Sequence, residues 1–254
     1  GKLPADAVVA QAPTIAQRLE ESDKDVRQSA VLVLRTLRAD ALAAHVPAIV
    51  QRLEDSDKDV RRSAVIVLGK LPADAVVAQA PTIVQRLEDS DKDVRQSAVV
   101  VLGKLPADAL AAQAPVIALR LEHSNSGVRQ SAVEVLGKLP AEALVAQAPA
   151  IAQRLEDSHP GVRRSAVEVL GKLPAEALAA LAPAVAQRLE HKDSGVRWSA
   201  MKVLGKLPAE ALATQAPAIA QRLEDEDSDV RRSAVEALGK LPAEAVAAQA
   251  PAIA

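Results

Sequence analysis

Apolar residues between Gly69 and Leu102 keep a regular schedule. Val76, Ala80, Ile83, Val84 and Leu87 are separated by 4, 3, 1 and 3 residues, which is the spacing of one helical face. The polar stretch Asp89-Ser90-Asp91-Lys92-Asp93 interrupts this face and supplies side chains suited to capping a helix N-terminus. Val94, Ala98, Val101 and Leu102 then form a second face. Pro72 stands where a helix can begin, because its missing N–H costs nothing in a first turn. Asp74 follows, where its charge complements the helix dipole. Pro81 falls inside the first helix and is expected to kink it without ending it. Gly69 and Gly103 end second helices, and Gly69 reads as a left-handed C-terminal cap. The segment predicts one helical hairpin.

The same segment recurs every 34 residues. Its copies span 1–34, 35–68, 69–102, 103–136, 137–170, 171–204 and 205–238, with a partial copy at 239–254. A fixed period of this size predicts an all-α solenoid, in which each unit buries its apolar face against its neighbours. The domain expectation is therefore one array over 1–254. The copies are unusually alike, which fits recent duplication or a consensus-style scaffold. Arg35-Thr36-Leu37-Arg38 replaces the usual Gly-Lys-Leu-Pro in the second copy, an irregularity a designer has little reason to add.

Pro81, Asp89 and Arg95 stand 8 and 6 residues apart. This pattern resembles the HEAT repeats, including the short variety named after phycobilisome lyases. The Pro recurs at Pro13, Pro47, Pro115, Pro149, Pro183, Pro217 and Pro251, and the Arg at Arg27, Arg61, Arg129, Arg163, Arg197 and Arg231. The acidic position is Glu21, Asp55, Asp89, Asp157 or Asp225, but His123 and His191 in the fourth and sixth copies. The resemblance implies a right-handed superhelix and a ladder of hydrogen bonds between adjacent repeats. Its members here are Asp55, Arg61, Asp89, Arg95, Asp157, Arg163, Asp225 and Arg231, and the two histidines depart from its pattern. Tetratricopeptide repeats share the period, but their Trp, Tyr and Phe positions are missing.

The resemblance also implies that second helices line a concave side. Gln96 and Val100, lying opposite the buried face, mark its floor. Along the chain the second of these positions is Leu32, Ile66 and Val100, then Glu134, Glu168, Lys202 and Glu236. An aliphatic strip thus gives way to a charged one, and exposed aliphatics in a row can mark a groove for protein. Trp198, the one aromatic residue, replaces Gln or Arg at the first position. Trp is enriched at binding hot spots. Arg164 and Arg232 are expected to flank it, with Lys202 one turn along. The competing readings are that curvature buries the aliphatics and that Trp198 lies flat on a neighbouring helix, with Met201 beside it in place of Val.

Composition narrows the function. The chain has 254 residues, 49% of them hydrophobic, with no Cys, Phe or Tyr. Its 31 basic and 33 acidic residues leave a formal charge of −2, which argues against bulk attraction to nucleic acid or an anionic membrane. No apolar run approaches the roughly 20 residues of a membrane span, and no signal peptide is visible. Without Cys or a signal peptide, an intracellular chain is favoured over a secreted one. The acidic loops lack the Gly and Glu of a calcium loop. His123, His159 and His191 lie in successive repeats, too far apart for a shared zinc. No catalytic constellation or phosphate-binding Gly motif is present, and no cofactor is expected. The recurring Ser97 position reads as a small residue admitting close helix approach.

The function expected is a non-enzymatic scaffold holding a protein or peptide at Leu32, Ile66, Val100, Arg164, Trp198, Lys202 and Arg232. A structural or engineered module without a ligand is the first alternative, and a bilin-lyase or DNA-glycosylase type of subunit the second. Val8, Ile15 and Leu19 at one end, and Val246, Ala250 and Ile253 at the other, look like faces awaiting another repeat. They suggest a fragment of a longer array or end-to-end self-association.

Overall fold

The computed structural model describes residues 5–242. Among the described residues the regular elements are fifteen α-helices and short 3-10 turns, with no strand. The fold is an all-α solenoid of helical hairpins. The chain divides into two compact units, one up to Arg120 and one from Leu121 onward.

The first unit holds α1 (Ala5–Gln17), α2 (Lys24–Leu34), α3 (Ala39–Ala43), α4 (Val46–Gln51), α5 (Lys58–Leu68), α6 (Ala73–Gln85), α7 (Lys92–Leu102) and α8 (Ala107–Ala118). Second helices α2, α5 and α7 stack in order, and α6 packs on α8. The second unit holds α9 (Ser126–Leu136), α10 (Ala141–Gln153), α11 (Pro160–Leu170), α12 (Ala175–Gln187), α13 (Ser194–Leu204), α14 (Ala209–Ala220) and α15 (Ser228–Leu238). There α9, α11, α13 and α15 form one layer, and α10, α12 and α14 the other.

Each hairpin follows from local chemistry. Pro72 is the cap residue of α6, and Pro81 lies within that helix, which continues through it. The helix then tightens into a 3-10 turn at Arg86–Glu88, which drives Leu87 into the core. The sequence pattern did not anticipate that turn. Asp91 caps α7 by accepting the amides of Asp93 at 2.9 Å and Val94 at 3.3 Å. Val76, Ala80, Ile83, Val84, Leu87, Val94, Ala98, Val101 and Leu102 are all buried. Each Leu or Ile so removed from water contributes about 1.5–3 kcal/mol.

Two expectations need correction. Gly69 is not a left-handed cap: its φ is −68° and its ψ 0°. What it provides is close approach, since a Cβ there would stand 2.6 Å from Val101 Cγ2 on the next second helix. Gly137 meets Val169 in the same way. In the second repeat the first helix is broken into α3 and α4 rather than continuous. The break falls at His45, whose φ is −106° and ψ 3°, and Pro47 then stands in the first turn of α4, where its missing N–H costs nothing.

The terminal apolar face is also revised in part. Leu19 is buried within its own hairpin, while Ile15 is half-buried. The side chain of Val8, and Val246, Ala250, Pro251 and Ile253 of the eighth copy, lie outside the described residues.

Candidate functional site

Two layers of side chains distinguish the inner joints of the solenoid from its open surface. At four joints the second-helix Arg does two things. Arg61 Nη1 donates to the carbonyls of Asp55 and Ser56 at 2.9 and 3.1 Å. Its Nε and Nη2 donate to Asp89 of the next repeat at 2.7 and 2.8 Å. The same rung joins Arg27 to Asp55, Arg129 to Asp157 and Arg197 to Asp225. Desolvation by burial works against ionisation of each of these aspartates. Hydrogen bonds from the guanidinium and from the amide two residues on outweigh it, so each carboxyl titrates below its usual range.

Asp55, Asp89, Asp157 and Asp225 are thus each held by the Arg of the preceding repeat, not by that of their own. Arg27, Arg129 and Arg197, named above as copies of the recurring Arg but not among the expected ladder members, are rung members too. Periodicity could have supplied them, because Asp stands 28 residues beyond each. Arg95, Arg163 and Arg231 clamp the carbonyls of their own loops through Nη1. At the joint after Arg163 the next acidic position is His191, whose Nδ1 accepts the Asp193 amide at 3.0 Å. His123 Nδ1 does the same for Asn125. The histidines replace the turn-forming role of Asp but bring no carboxylate. His159 caps α11 through Gly161.

A second series was not read from the sequence. Arg52, Arg86, Arg154 and Arg222 reach back 33 residues to the carbonyls of Leu19, Leu53, Leu121 and Leu189, at 2.6–3.0 Å. Arg86 and Arg154 also meet Glu54 and Glu122. Arg120 and Arg188 differ, turning Nη1 to the helix carbonyls of Val116 and Ala184. These two belong to the histidine-bearing repeats, where Asp no longer stands three residues ahead.

Among the described residues the second-helix face carries a groove in each unit. In the first, of about 290 Å³, Ile66 and Val100 lie together with Arg62, Gln96 and Lys104. Val100 is 47% exposed and Ile66 half-buried, so this aliphatic pair is not swallowed by curvature. Leu32 is 39% exposed but does not line the groove.

The second groove, of about 390 Å³, brings Arg164, Trp198 and Lys202 together. Lys202 Nζ stands 5.9 Å from the Trp198 ring centroid, within cation–π range, and pairs with Glu236 at 3.1 Å. Trp198 is half-buried, and Met201 beneath it is fully buried. Arg232 does not line this groove and turns to Asp229 one turn back. The pattern also missed Lys206 and Lys240, which enter from the loops after α13 and α15. Their Nζ atoms donate to the carbonyls of Val167 and Gly205.

Each groove combines apolar side chains with charged ones. Among the described residues no helix is long and apolar enough to cross a membrane. No curated protein matches the chain. A solved engineered protein from the Northeast Structural Genomics Consortium is similar over 98% of this chain and 74% of its own, with TM-score 0.54 and 22% identity. A chain of the structure describing Kap95p binding to RanGDP is similar over 94% of this chain, with TM-score 0.71 and 16% identity. This chain spans 35% of that one. Both likenesses are of fold. The family model of HEAT repeats matches residues 12–80, and that of PDS5, the sister chromatid cohesion protein, matches residues 107–251, more than half of the chain. With its 34-residue helical hairpins and its Arg–Asp rungs, the chain belongs to the HEAT-repeat family, in the PDS5-like form over residues 107–251.

Proposed function

We propose that this chain is a non-enzymatic protein-binding scaffold. In this reading its repeats form a single array in the register 1–34 to 205–238, with a partial copy at 239–254. It holds a protein or peptide against the second-helix face, at Leu32, Ile66, Val100, Arg164, Trp198, Lys202 and Arg232. The carrying observation is that this face leaves Val100 and Leu32 open to water and Trp198 half-open, with Arg62 and Lys104 beside Val100 and with Arg164 and Lys202 beside Trp198. Open apolar groups rimmed by charge mark protein-binding surfaces. Kap95p, similar in fold, binds RanGDP, and that also supports the reading.

The near-identity of the repeats favours a second reading, a structural module with no ligand of its own. A pull-down separates the two. Ile66→Glu with Trp198→Gln should abolish capture of a specific partner, while Gln85→Glu on the exposed first-helix face should leave it intact. Equal capture by all three proteins, or none by any, would reject the binding face.

A further inference from the structure

The groove of the second unit is not electrically neutral. Its floor is Val167, Trp198, Met201 and Ala237, and its rim carries Arg164, Lys202, Lys206 and Lys240 against only Glu168 and Glu236. Four cations against two anions leave an excess of two positive charges, in a chain whose formal total is −2. Three of the cations are held in place: Lys202 by Glu236, Lys206 by the Val167 carbonyl and Lys240 by the Gly205 carbonyl. A positive rim fixed in this way loses less side-chain entropy on meeting an anion than free lysines would. Burial also lowers the Lys206 pKa; a carboxylate brought beside its ammonium would favour the charged form again.

Resting on the binding-face reading, we infer that this groove takes an acidic peptide segment bearing an apolar anchor side chain. The anchor packs against Trp198 and Met201, and flanking carboxylates meet Arg164 and the lysine rim. Trp198 is the only Trp in a chain without Tyr or Phe, so its emission reports on this groove alone.

The test titrates the whole chain with three capped peptides sharing a central leucine, flanked by glutamates, lysines or serines. Trp198 emission and calorimetry are both recorded. The glutamate peptide should bind most tightly and shift the emission. Arg164→Glu should weaken it about tenfold at low salt, an effect that shrinks as salt is raised. Glu168→Lys should strengthen it. Both positions are exposed, so folding is retained. If the serine or lysine peptide binds as tightly, the acidic assignment falls while the binding face stands. If no peptide binds or moves the emission, the acidic assignment falls, and the partner pull-down decides separately whether the face itself survives.

Discussion

Arg61 holds Asp89, 28 residues ahead in the chain, through two hydrogen bonds of 2.7 and 2.8 Å. The Asp91 amide donates to the same carboxylate at 2.9 Å. One side chain therefore joins two repeats and shapes the turn that starts α7. Removing Asp89 leaves a largely buried guanidinium without its counter-charge, which is costlier than losing an exposed pair. Asp89→Ala should destabilise the chain by about 2–4 kcal/mol. Urea unfolding checks this; a change below about 0.5 kcal/mol would mean the rung contributes little.

The same rungs set a pH dependence. Asp55, Asp89, Asp157 and Asp225 titrate below their usual range in the folded chain. Their contribution is fully present above the unfolded value of about 3.9 and is lost as pH falls through the lower folded values. The urea midpoint should hold as pH drops toward 5 and fall steeply below about 4. Asp89→Asn should flatten that fall, and an unaltered profile would count against the rung as its source.

The joint after Arg163 lacks a carboxylate because His191 stands there. His191→Asp should accept the Asp193 amide as Asp89 accepts that of Asp91, and also meet the Arg163 fork. The expected gain is about 1 kcal/mol. In a double-mutant cycle, Arg163→Ala should erase it. A gain that persists without Arg163 would show that it comes from the turn alone.

Two glycines with nearly the same backbone should respond differently to alanine. At Gly69 the added methyl meets Val101 Cγ2 at 2.6 Å, whereas at Gly205 its nearest atom is the Met201 carbonyl oxygen of its own helix at 3.3 Å and the facing side chain, Ala237, stands 3.9 Å away. Both have ordinary negative φ, −68° and −65°. Gly69→Ala should cost about 1–3 kcal/mol through overpacking. Gly205→Ala should change stability by less than about 0.5 kcal/mol. Equal effects on thermal unfolding would point to backbone conformation and not to packing.

The 34-residue period, the apolar faces at Val76–Leu87 and Val94–Leu102, and the capping loop at Asp91 were all legible in the sequence. Local physics and repetition dictate them: helical spacing, Pro placement and N-cap chemistry act within one hairpin, and the period reports that hairpins stack. The partners across each joint depended on tertiary structure. Arg27 rather than Arg61 holds Asp55, and Gly69 is demanded by Val101, because a contact 28 or 32 residues away depends on how two hairpins register. The grooves were legible only in part. Ile66 with Val100, and Arg164 with Trp198 and Lys202, follow from repeat position. Lys206 entered and Arg232 left for a different reason: long side chains choose among nearby carbonyls and carboxylates, a competition that spacing along a helix does not resolve.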